Sequence, residues 1–265
     1  MLALVCLLAV PAIMWLGQSA LLLAAGLPLR VRISAEDLPR GFHGVNRAVT
    51  NVAFAAALLG YPLLRGQSPL TYYRRFFPVT DARPAEALFG IAASVLYLAL
   101  LYLAWTLTDN VRFRVRHTPG RLLQRLAGVP PTALFVALVE ELLFRAMLLA
   151  GLLETLDVRI ALPIGVVAFA GAHYIRPVKR YWTFPGHLAL GVLLCSAYLL
   201  TRALWLPLGL HAGGVLVLMG TRPLVRYTGP AWLVGASIFP YAGAVGIAGL
   251  LLLTVNLWLH FGGCP

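Results

Sequence analysis

The run Val139-Glu140-Glu141-Leu142-Leu143-Phe144-Arg145 sets two carboxylates and a guanidinium inside an otherwise apolar stretch from Ala127 to Leu153. A lone charge at the centre of a bilayer helix costs about 2.5 to 3.5 kcal/mol, so ionisable residues in such segments face a protein interior, find partners and mark a site. Glu141 and Arg145 are four apart and stack on one helical face, where they can pair. Glu140 lies about 100° round the helix from Glu141 and needs a different partner. A carboxylate left without a cation beside it is suited to act as a general base. The alternative for all three is a buried polar network that fixes helix packing.

Histidines supply further chemistry. His173 follows Phe169-Ala170-Gly171-Ala172, and His211 sits in Leu206-Pro207-Leu208-Gly209-Leu210-His211-Ala212-Gly213-Gly214. Two histidines in apolar segments alongside two acids point to acid-base work rather than to core packing. Gly209, Gly213 and Gly214 let a neighbouring helix come close to His211. His187, after Pro185-Gly186, reads as a loop or interface residue, His43, His117 and His260 fall in loops or at span ends, and Glu154 and Asp157 read as solvated. There is no His-Glu-x-x-His, no Gly-x-Ser-x-Gly and no Walker sequence, so zincin, elbow-type serine hydrolase and P-loop chemistries lack their motifs.

The elements that must position these residues are membrane helices. The chain has 265 residues, 60% of them hydrophobic and only 11% charged, which excludes an ordinary soluble domain. Apolar runs of bilayer length fall near 2–27, 45–64, 86–108, 129–153, 160–175, 187–201, 204–221 and 231–261. The expected fold is all-α, a polytopic membrane protein of about eight transmembrane helices bundled around a polar intramembrane cavity. One membrane domain over 1–265 is expected, with its catalytic core at about 129–220. The first run is longer than a secretory h-region and reads as an uncleaved span.

The net charge of +12 is spread through short connections, which matches cytoplasmic loops and gives no nucleic-acid surface. With the N-terminus outside, the inner connections hold 14 of the 20 basic residues other than Arg145. The polar connections 65–85 and 109–128 can each carry a short interfacial helix, and the alternation of Val111, Phe113 and Val115 with Arg112, Arg114 and Arg116 suits a segment near anionic headgroups. Cys6, Cys195 and Cys264 support neither a disulfide framework nor a zinc motif. The preference for arginine over lysine hints at a bacterial source, hence an inner-membrane location.

Three pieces of sequence resemble the CPBP intramembrane proteases, which include the CAAX prenyl endopeptidases of the Rce type and bacterial relatives once grouped as Abi proteins. They are Glu140-Glu141-x-x-x-Arg145, Phe169-x-x-x-His173 and Leu204-Trp205-x-Pro207-x-Gly209-x-His211. The resemblance implies about eight helices around a water-filled cavity open toward the cytoplasm and laterally to lipid. It implies that Glu140 and His173 activate water against a peptide carbonyl, that Glu141 with Arg145 holds the fourth helix, and that His211 stabilises the oxyanion. No metal or other cofactor is needed in that description, and the substrate is a membrane-anchored or lipid-modified peptide or protein.

One departure stands out: the family's third motif runs His-x-x-x-Asn or Asp, whereas Val215 follows His211. Valine donates no hydrogen bond, and losing one oxyanion donor costs about 100- to 1000-fold in rate. The competing readings are a catalytically reduced scaffold or immunity protein of the same fold, a version in which Glu140, His173 and His211 bind a divalent ion, and a proton-coupled transporter. The transporter reading lacks the inverted repeat of such folds.

Overall fold

The computed structural model describes all residues except 32, 34–36, 81–82, 116, 175–180, 236–238 and 263–265, so Cys264, Arg116 and the 176–180 basic group lie outside the described residues. The chain is an all-α polytopic membrane protein. Helices α1 (Leu2–Ala24), α2 (His43–Leu64), α3 (Pro69–Arg74) and α4 (Ala85–Leu107) lead into a short strand β1 (Val111–Phe113) and helix α5 (Pro119–Ala127). Next come α6 (Val129–Glu141), a π-helical segment (Leu142–Leu149) and α7 (Ala150–Leu153), which together make the fourth crossing. The remainder is α8 (Val158–Ala172), α9 (Phe184–Thr201), α10 (Trp205–Thr221), β2 (Val225–Tyr227), α11 (Ala231–Val234) and α12 (Ala244–Phe261).

Five of these helical stretches are long and apolar enough to cross a bilayer, and α8 and α10 are shorter apolar helices. The composite stretch over 129–153, with these seven helices, corresponds to the eight apolar runs of the sequence, of which five reach bilayer length as single helices. Large aliphatic side chains such as Leu8, Leu63, Leu96 and Leu252 are more than half exposed on the outside of the bundle, a surface that only lipid would solvate well. The interior is sealed by small residues and aromatics, with Ala53, Ala137, Ala146 and Phe169 fully buried.

The last span differs from expectation. The apolar run 231–261 is not one helix: α11 ends at Gly235, whose φ is +75°, and a 3-10 turn over Pro240–Ala242 precedes α12. Pro240 has no N–H to give a helical ladder, and the left-handed backbone at Gly235 ends a helix cheaply only in glycine. The break carries Tyr241 into the bundle at the N-terminal end of α9.

The connections gather at two ends. At one, Arg65 pairs with Glu154 at 2.7 Å, Arg83 donates to the Thr201 carbonyl at 2.8 Å and the Trp205 indole donates to the Pro78 carbonyl at 2.7 Å. Glu154 is therefore paired rather than free, and Asp157 caps α8 by accepting from the Arg159 N–H at 2.8 Å. At the other, β1 and β2 form an antiparallel ribbon with Arg112 opposite Arg226, so the Val/Arg alternation is that of a strand. Each of the two polar connections carries a short helix, α3 in 65–85 and α5 in 109–128.

Helix α10 packs along α4 nearly backbone to backbone. A methyl group at Gly209 would collide with the Ala87 carbonyl, whereas one at Gly214 would meet nothing. Two of the three glycines expected to admit a neighbour thus do so, and Gly214 faces open space.

Candidate active site

The fourth crossing delivers its charges at the point where its helix widens. Glu140 and Glu141 end α6, and the π-helical segment begins at Leu142. Such segments are uncommon and recur at functional sites. Glu141 and Arg145 are both fully buried and pair at 3.2 Å, as their spacing foretold. The same carboxylate oxygen, Oε1, also accepts from His211 Nδ1 at 2.7 Å, a link between α6 and α10 across 70 residues of chain. The Arg145 guanidinium lies over the Phe169 ring at 4.4 Å, a cation–π contact that offsets part of its desolvation. Glu141, Arg145, His211 and Phe169 are therefore one packed unit built from three crossings.

Glu140 points elsewhere. Its side chain is about a quarter exposed, and its Oε2 lies 3.7 Å from His211 Nε2, too far for a hydrogen bond. That oxygen has no hydrogen-bond partner among the described residues. His211 is thus flanked by carboxylates at both ring nitrogens, with Nδ1 committed to Glu141.

His173 closes α8. Its Nδ1 lies 2.9 Å from the Phe169 carbonyl, which fixes Nδ1–H as the donor and leaves Nε2 with a lone pair. The ring packs edge-on to Phe169 at 4.9 Å and against His187 at 4.5 Å. His187 is not a loop residue. It lies within α9, 1% exposed, with Nδ1 3.0 Å from the Thr183 carbonyl and 3.1 Å from the Tyr174 hydroxyl. Its burial depends on Phe239 and Tyr241, whose rings stand 4.7 and 5.6 Å away. No local signal at Pro185-Gly186-His187 announces those distant partners.

Glu140 and His173 line two cavities at once. One, of about 150 Å³, is bounded by α4, α9, α10 and α12, and includes His211, Val215 and Tyr241. The other, of about 570 Å³, lies between α1, α6 and α8 and is walled by Leu4, Leu7, Met14, Phe54 and Phe144. A carboxylate and an imidazole with a free lone pair therefore face a small pocket and a larger apolar one. Among the described residues, no three His, Cys, Asp or Glu side chains are grouped so as to hold a metal ion.

No curated protein and no solved structure matches the chain. The family model of the type II CAAX prenyl endopeptidases, Rce1-like, matches residues 122–217. That stretch runs from α5 into α10 and holds Glu140, Glu141, Arg145, Phe169, His173 and His211. Across the segment that supplies these six side chains, the chain is similar to the Rce1-like type II CAAX prenyl endopeptidases.

Proposed function

We propose that the chain is an intramembrane endopeptidase that hydrolyses a peptide bond of a membrane-anchored or lipid-modified substrate, with Glu140 and His173 activating water. The observation that carries this reading is the shared position of Glu140 and His173 at the junction of the two cavities. The larger, apolar cavity suits a substrate's hydrophobic end, and the smaller one suits the scissile carbonyl and its water.

In the proposed reaction His173, fixed by its Nδ1–H, accepts a hydrogen bond from the water at Nε2. Glu140 takes the water's proton as the oxygen bonds to the carbonyl carbon and the carbonyl π pair moves onto oxygen. When the tetrahedral species collapses, the C–N bond breaks and the proton held by Glu140 passes to the departing nitrogen. Glu141 and Arg145 hold α6 to α10. His211, doubly protonated, would donate to Glu141 through Nδ1 and to the oxyanion through Nε2. An inner-membrane location in a bacterium belongs to the same reading.

The test is proteolysis in liposomes by purified protein. Positioned acid-base groups contribute about 100- to 10,000-fold, so E140Q and H173A should each lose at least 100-fold of the wild-type rate. Equal cleavage by wild type and both variants would sink the proposal. The scaffold reading is favoured by one feature, Val215 in the wall of the smaller cavity, and it expects no cleavage by any of the three.

A further inference from the structure

The smaller cavity contains six polar side chains: Ser94, Tyr97, Glu140, His173, His211 and Tyr241. Most are already committed. Ser94 donates to the Gly90 carbonyl at 3.0 Å, and Tyr97 donates to the Gly246 carbonyl at 2.7 Å. His211 is held by Glu141 through Nδ1, and His173 is held by the Phe169 carbonyl. Tyr241 is different. It is 6% exposed, wedged edge-on between His187 and Phe239, and its hydroxyl meets no hydrogen-bond partner among the described residues. The hydroxyl is not sealed in the packing but opens onto the cavity that Tyr241 lines, where it is available to a group that arrives with a ligand.

Val215 lies in the same wall. It brings only methyl groups to the cavity lining, and so offers developing negative charge no hydrogen-bond donor at that position. We infer that Tyr241 is a catalytic residue whose hydroxyl donates a hydrogen bond to the oxyanion of the tetrahedral intermediate, on the side of the cavity where Val215 has no donor. A phenol suits this role because it donates while neutral, so its contribution does not depend on the protonation of the two carboxylates nearby. The break before α12 acquires a purpose on this account: an unbroken helix over 231–261 would not place the 240–242 turn against His187. The inference rests on the peptidase reading above.

The experiment uses the full chain in liposomes, co-reconstituted with solubilised membrane proteins from cells producing E140Q. New peptide ends are quantified by mass spectrometry, and the best-cleaved site is remade as an anchored synthetic peptide for kcat and KM. Y241F removes only the hydroxyl and keeps the ring against His187. It should lower kcat about 100-fold or more, with KM within about threefold. In that background V215N should recover at least tenfold of the lost kcat, because an amide reinstates a donor in the same wall.

Y241F within threefold of wild type, with E140Q and H173A inactive, overturns the assignment and leaves the peptidase reading intact. A change in KM alone, or a loss of kcat that V215N does not recover, also overturns it and makes Tyr241 a packing residue. Cleavage equal in wild type and E140Q overturns the peptidase reading and this assignment with it.

Discussion

A single oxygen, Glu141 Oε1, holds both Arg145 and His211, and its energetics follow from burial. Removing one partner of a buried ion pair costs about 3 to 5 kcal/mol because the other charge is left uncompensated, while replacing both can be nearly neutral. R145M should therefore destabilise the protein by about that amount. E141Q/R145M should recover part of the loss, since glutamine still offers His211 an oxygen. Denaturant titration in detergent checks both. The Glu141–Arg145 pair was readable because its partners are one helical turn apart. The Glu141–His211 link was not, because it joins residues 70 positions apart on two helices. His187 and Tyr241 were hidden for the same reason, one beside a Pro-Gly step and the other inside an apolar run, each defined by the other's packing.

At the level of elements, hydropathy gave the crossings because a bilayer of fixed thickness demands about 20 apolar residues from each. It did not show how they are interrupted. The π-helical segment after Glu141 and the turn at Pro240–Ala242 leave apolar content unchanged, and the β1–β2 ribbon depends on a pairing partner more than 100 residues away. The α4–α10 contact yields a sharp contrast between neighbouring glycines. G209A places a methyl against the Ala87 carbonyl and should cost about 1 to 3 kcal/mol by overpacking. It should also lower cleavage, because His211 is two residues on. G214A meets nothing and should stay within about 0.5 kcal/mol of wild type. Thermal midpoints in detergent separate the two.

For the whole molecule, the two ends differ in charge. Arg30, Arg40, Arg47, Arg112, Arg114, Arg121, Arg125, Arg222 and Arg226 lie toward the ribbon end, and Arg65, Arg74, Arg75, Arg83, Arg159 and Arg202 toward the other, where Glu154 answers Arg65 and Arg75 and Glu86 answers Arg83. By the positive-inside rule the ribbon end is expected to face the cytoplasm. Cys6 and Cys195 are buried, so with Cys264 replaced by serine introduced thiols can report the orientation. Q124C should react with a membrane-impermeant maleimide only in inverted vesicles, and T155C only in intact cells; the opposite pattern would reverse the topology. The link from Glu141 to His211 also has a consequence in time. Some 70 residues separate them, which a ribosome adds in about 4 to 14 seconds. During that interval the nascent fourth crossing holds its acids without their histidine. On the peptidase reading the site stays incomplete until α10 is made, so hydrolysis waits on the last third of the chain.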